Sequence, residues 1–224
     1  MTAKFKIMLP LFTLIAMLTA CASTRQLQTL KEAANHSEWQ TIADAKVDCD
    51  DEDDACQQMH LLKGDACYRL AKQTTEKLKN YQCAAEQLQL GIQHIPDWKS
   101  IAPIVGKPEQ YYENWCESLR LLRSEQNNNA NAATYNQKLL DCAQGFSQKA
   151  ETLQSAASFF LYNAELAAIR LQPFGPDTCP ALRQLQHKQA LATQEAAHSA
   201  YAENHKRLLD DITGIKSLVP GCYP

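Results

Sequence analysis

The chain has 224 residues, 45% of them hydrophobic, with nine cysteines, seven glycines and a net charge of -3 at neutral pH. That length accommodates one domain or two small ones, and the acidic balance argues against a nucleic-acid surface, which needs a clustered basic face. Ala, Gln and Leu are abundant, all strong helix formers, and no run of alternating β-branched residues occurs, so the expected class is all-α.

The first residues read MTAKFKIMLPLFTLIAMLTAC. Lys4 and Lys6 make a short basic start. Ile7 to Leu18 is an uncharged apolar run, too short to span a bilayer comfortably and laid out as a secretory signal. Leu18, Thr19 and Ala20 followed directly by Cys21 resemble the lipobox of bacterial lipoproteins. The resemblance implies cleavage before Cys21 and acylation of Cys21, palmitate being the expected lipid. With Ala22 rather than Asp next, it also implies an outer-membrane anchor facing the periplasm. More than one acyl chain anchors a protein stably. On this reading residues 1–20 are a signal peptide, 21–36 a polar lipidated tether, and 37–224 a single all-α domain. Removing Lys4 and Lys6 takes the net charge from -3 to -5.

Ser37 reads as an N-cap of a helix running to about Val47. The acidic stretch DCDDEDDAC follows. From Asp54 a second helical pattern places Met59, Leu62, Ala66 and Leu70 on one face. Asn80 is expected to break it, and a further helix runs from Cys83 to His94, before Pro96. Within this pair, KGDACYRLA and NYQCAAEQLQLGIQHIP resemble a tetratricopeptide repeat over residues 62–96. The carrying residues are Gly64 and Tyr68 in the first helix, then Ala84, Leu88 and Gly91 in the second, closed by Pro96. Gly64 lies about eight residues farther from Ala84 than in the usual unit of about 34 residues, so the hairpin is a stretched one.

Residues 97–108, with Pro103, Gly106 and Pro108, read as a loop. Glu109 to Glu125 is helical, with Tyr112, Trp115, Leu119 and Leu122 as its apolar stripe. A turn at 127–132 leads into a helix carrying Tyr135, Leu139 and Leu140, which Gly145 is expected to end. Leu153 to Leu171 is the most apolar helix and the expected centre of the fold. PFGPDTCP is a rigid loop, residues 181–211 read as one long polar helix, and VPGCYP is a tail. Antiparallel pairs joined by short loops make a short, irregular stack of helical hairpins, tetratricopeptide-like and disulfide-stapled, with a concave binding face.

With Cys21 assigned to lipid, eight cysteines remain, an even count that implies a disulfide framework in a secreted chain. Local pairing is expected: Cys49 with Cys56, Cys67 with Cys83, Cys116 with Cys142, and Cys179 with Cys222. Each bridge is worth typically about 2–4 kcal/mol.

The acidic stretch admits several readings. It is a solvated loop closed by Cys49–Cys56, its acids favouring the positive end of the following helix. It is a calcium site through Asp50, Asp51 and Asp53, against which stands the lack of a turn glycine. It is a copper or zinc site built from Cys49, Cys56 and His60. Or its charge recognises a partner. The first reading is preferred, with Asp50, Asp51, Asp53 and His60 kept as weak metal candidates.

His187, His198 and His205 share a stripe if residues 181–211 are one helix. At 1.5 Å per residue they lie roughly 16 and 10 Å apart, too far for one metal but suited to a pH-sensitive or simply wet face. Glu113 with Glu117 and Asp210 with Asp211 are paired carboxylates, but nothing indicates the cleft a glycosidase needs. Nucleophile-elbow, P-loop and dinucleotide-binding motifs are absent from the sequence. Trp39, Trp98, Trp115, Tyr111 and Tyr112 fit a core better than a groove. The expectation is therefore no enzyme and no cofactor. The chain is expected to be a lipid-anchored scaffold or assembly factor that binds envelope proteins. A small-ligand or metal-binding lipoprotein is the alternative, and an envelope hydrolase the weakest reading.

Overall fold

A computed structural model describes residues 23–49, 54–93 and 108–222. Among these residues every regular element is a helix. The chain divides into two compact units, Met1–Pro108 and Glu109–Pro224, where a single domain over 37–224 was expected. The division falls in the Pro- and Gly-containing stretch that ends at Pro108.

The first unit begins with α1 (residues 23–35), in the stretch expected to be a tether. Its Leu27, Leu30, Ala33 and Ala34 recur at helical spacing and are buried in one core with Ile42, Met59, Leu62 and Ala66. The polar residues between them masked this stripe. Ser37, expected to open the next helix, closes this one instead. It adopts φ 60°; its N–H donates to the Ala34 carbonyl, and the Glu38 N–H reaches back to Ala33. This is the Schellman arrangement, usually built on glycine. α2 (Trp39–Asp44) is therefore short, ending before Val47.

α3 (Asp54–Gln73) and α4 (Lys77–Gln93) form an antiparallel pair. The break falls at residues 74–76 rather than at Asn80. Asn80 lies inside α4, and its amide donates to the Thr74 hydroxyl at 3.0 Å, holding the turn. Two glycines let the helices approach. A Cβ on Gly64 would meet the Leu88 side chain at 2.5 Å and its backbone N at 2.9 Å; one on Gly91 would meet the Leu61 side chain at 2.8 Å. Leu88 and Leu61 are fully buried against these bare backbones. The Cys67–Cys83 bridge links the same two helices. The expected stripe of Met59, Leu62, Ala66 and Leu70 is buried. At the α2 end, Arg69 lies over the Trp39 ring at 4.5 Å while its Nε donates to Asp65 at 2.6 Å.

The second unit holds α5 (Glu109–Ser124), α6 (Asn129–Lys149), α7 (Gln154–Arg170), α8 (Thr178–Glu195) and α9 (Ala202–Leu218). α7 packs against the other four, the central place expected for it. Its Ala156, Ala157 and Ala164 are buried and allow that approach. Gly145 does not end α6, which continues to Lys149. Residues 181–211 are not one helix: turns at 196–201 fold the chain back into α8 and α9. An unbroken helix of that span would be roughly 46 Å long, with half of its apolar stripe unmatched. Folding back buries Leu182, Leu185 and Ala192 of α8 and Leu208 and Ile212 of α9. Cys116–Cys142 links α5 to α6, and Cys179–Cys222 links the start of α8 to the segment after α9.

Candidate functional site

In the first unit, the candidate residues converge at the start of α3. Cys49 and Cys56 are bridged. Cys56 and His60 stand four apart on α3, on the same face, and both are buried, while Cys49 is half-buried. One ligand atom from each of Cys49, Cys56 and His60 lies within 4.8 Å of the other two, the one such grouping of three or more metal-ligating side chains among the described residues. The His60 ring is anchored across the helix pair: Nδ1–H donates to Gln87 Oε1 of α4 at 2.8 Å. Asp50, Asp51 and Asp53 lie outside the described residues, as do Cys21 and Trp98. Just before the bridge, the ammonium of Lys46 donates to Asp48 at 2.7 Å, both fully exposed. The hydrogen bond to Lys46 holds the Asp48 carboxyl below the usual carboxylate range.

In the second unit, the three histidines do not share a face. His187 and His198 are exposed, His198 in the turn between α8 and α9, and His205 is fully buried. His205 joins three helices. Its Nε2–H donates to the Ser155 carbonyl of α7 at 2.9 Å, and its Nδ1 accepts from Gln189 Nε2 of α8, also at 2.9 Å. The same Gln189 amine donates to the His205 carbonyl at 2.8 Å. Gln189 Oε1 is buried without a hydrogen-bond partner, an arrangement that costs about 1–3 kcal/mol. Burial pushes the His205 imidazole below its ordinary value, against the opposing pull of the Ser155 carbonyl. The contact is to the main-chain oxygen of Ser155, so this pair is not a serine–histidine nucleophile.

Glu109 and Arg123 hold helices together. Glu109 is buried, and its carboxylate accepts from the N–H groups of Thr152 at 3.0 Å and Leu153 at 2.8 Å. It caps α7 from another helix, placing negative charge at that helix's positive end. Arg123 donates to Asn136 at 2.7 Å and to Asn163 at 2.6 Å, while Asn136 donates to the Ala164 carbonyl at 3.1 Å. This seam ties α5, α6 and α7. Burial, then the neighbouring Arg120 and Arg170, bring the Arg123 guanidinium down to about 10, still charged at neutral pH.

The paired carboxylates separate in role. Glu113 accepts from the Tyr201 hydroxyl at 2.8 Å, and Glu117 accepts from Arg120 Nε at 2.7 Å and Nη2 at 2.8 Å. Asp210 and Asp211 are exposed. Tyr111, Tyr112 and Trp115 are core residues, Tyr112 stacking on Phe146 at 5.7 Å. A cleft of about 370 Å³ is lined by Ser155, Ser158, Tyr162 and Glu195. Burial raises the Tyr162 hydroxyl above its usual value.

Sequence reasoning missed Glu109, Arg123 and Gln189. None lies in a motif; each acquires its role from a helix distant in sequence. Comparison with models of protein families, with curated proteins and with solved structures finds no match to this chain.

Proposed function

We propose that the chain is a lipid-anchored envelope protein, held at the outer membrane through Cys21. There it binds other envelope proteins through exposed helical faces, as a scaffold or assembly factor. The observation that carries this reading is the cysteine pattern. Four local bridges use every cysteine beyond Cys21, the chemistry of an oxidising compartment. The N-terminal sequence independently supports export and lipidation. The tetratricopeptide-like spacing of Gly64, Leu88 and Gly91 coincides with a close approach of α3 and α4, which supports a helical-hairpin scaffold. Glu109, Glu113 and His205 are engaged in contacts between elements, and Glu117 pairs with Arg120 on its own helix, so the reading favours binding over hydrolysis.

The test is in cells. Cys21→Ser should abolish incorporation of labelled palmitate and move the protein from the membrane fraction to the soluble one. Photo-crosslinking residues placed at exposed Leu191 or Leu218 should then capture discrete envelope proteins, identifiable by mass. Retained palmitate labelling in Cys21→Ser would overturn the anchor, and adducts no more specific than those at His187 would overturn the scaffold.

A further inference from the structure

The cleft of the second unit carries polar side chains that the fold itself does not use. We propose that it is a binding site for a neutral, hydroxyl-rich ligand, a mono- or disaccharide. The inference goes beyond the scaffold reading and does not depend on it.

Three observations carry it. The first is unmet hydrogen-bonding capacity. The cleft opens between the end of α6, the first half of α7 and the end of α8. Gln154, Ser155, Tyr162 and Glu195 line it, and none of these four side chains makes a hydrogen bond or ion pair to the described residues. A cleft of about 560 Å³ in the first unit shows the opposite arrangement. There Gln40 donates to Asp44 at 2.9 Å, Asn80 to Thr74 at 3.0 Å and Lys79 to Glu76 at 3.1 Å. Those groups are paired with one another, whereas the four in the second unit are open to a ligand.

The second observation is charge. Among the described residues that line the cleft, Glu195 is the one charged side chain. An anion finds no cation there. A cation finds a single exposed carboxylate, a pairing that contributes little in water. Burial raises the Tyr162 hydroxyl above its usual value, with Glu165 and Glu195 adding to the rise and Lys188 opposing it, so it remains a neutral phenol. Hydroxyls and a carboxamide each donate and accept, as sugar hydroxyls do, and the Glu195 carboxylate can accept two hydroxyls at once.

The third is shape. Buried Ala157, Ala192 and Ala196 make the floor. Their small side chains leave about 370 Å³ between the helices, near the lower end of the range of about 300–1,000 Å³ for small-molecule sites, which suits one or two sugar rings. Tyr162 adds an apolar ring for the C–H face of a sugar and a polar hydroxyl at its tip. The α7 wall is fixed before any ligand arrives. The Ser155 carbonyl accepts from His205 Nε2–H at 2.9 Å and from the Ser158 hydroxyl at 3.2 Å, and Glu109 caps the same end of the helix. Binding then orders little that is not already ordered, which favours affinity.

The test uses the whole purified protein, labelled with ¹⁵N. Glucose, galactose, N-acetylglucosamine, maltose and cellobiose are titrated in turn while amide shifts are followed by NMR. The expected result is saturable shifts with at least one of these sugars, centred on Gln154, Ser155, Tyr162 and Glu195. Glu195→Ala and Tyr162→Ala should each weaken that sugar by about 10-fold. Because Tyr162 is half-buried, Glu195→Ala decides the point if Tyr162→Ala loses its helical signal. Ethanolamine and acetate, as cationic and anionic controls, should leave these amides unmoved. The proposal is overturned if none of the five sugars shifts these amides. It is equally overturned if the sugar that binds holds as tightly to Glu195→Ala, or if ethanolamine or acetate binds there more tightly than every sugar.

Discussion

The two units solve the same problem, fixing bare helices against one another, by different means. In the first, steric fit sets the pairing. Gly64 and Gly91 leave room for Leu88 and Leu61, and the apolar core of α1, α2 and α3 closes around Met59 and Leu62. In the second, buried polar groups set it: Glu109 on the start of α7, Arg123 between Asn136 and Asn163, and His205 between Ser155 and Gln189. Steric pairing tolerates changes of pH and salt but not an added methyl group. Polar pairing tolerates small changes of volume but not a change in protonation.

The bridges divide similarly, with short spans in the first unit and long ones in the second. Loop-closure entropy predicts that replacing Cys179 and Cys222 by Ala costs about 4 kcal/mol, and replacing Cys49 and Cys56 about 2 kcal/mol. Denaturant melts of the four double variants should rank by span; equal losses would mean that native-state packing around each bridge, rather than its loop, sets its worth. Next in size is Gly64→Ala. The added methyl cannot escape by rotating Leu88, because the Leu88 backbone nitrogen is also at 2.9 Å. A loss of about 2–3 kcal/mol is expected, read by a chemical-denaturation midpoint. Ala at Gly214, where nothing lies within 4 Å, is the control and should cost nothing.

Polar pairing makes the second unit sensitive to acid. The folded state holds the His205 pKa below 6.5, so below that pH the unfolded chain binds the proton first. Stability contributed by neutral His205 is therefore full above about pH 6.5 and declines as pH falls toward the folded value, by at most about 1.4 kcal/mol per pH unit. Melting curves across that window should show the decline, and His205→Gln should flatten it. The smallest expected effect has the opposite sign. Ser37 carries a positive φ at the close of α1, and Ser37→Gly should stabilise the first unit by about 1 kcal/mol in the same melts.

Much of this architecture was readable from local pattern. The stripes Met59, Leu62, Ala66, Leu70 and Tyr112, Trp115, Leu119, Leu122 follow helical periodicity and are buried as expected. Cysteines close in sequence paired with each other. The central place of α7 followed from its alanine content. What escaped detection depended on contacts distant in sequence. α1 passed for a tether because its four apolar residues are diluted by polar ones; only a core to bury them reveals the stripe. Ser37 is a favoured N-cap residue, and nothing local shows that it closes the preceding helix instead. No glycine or proline marks the fold-back at 196–201, where packing of the two halves outweighs helix continuity. His205 and Glu109 look like surface residues until Gln189, Ser155 and Leu153 surround them.

The early start of α1 bears on reach. Ser23 is already helical and follows Cys21 by two residues, a contour of about 7 Å. If Cys21 carries the acyl chains, the anchor has almost no leash. On that proposal the first unit would sit close to the headgroups, with the first turns of α1 nearest the lipid. Under the proposed anchoring, reach would be set by the folded body, and lengthening the chain between Cys21 and Ser23 would extend it in proportion.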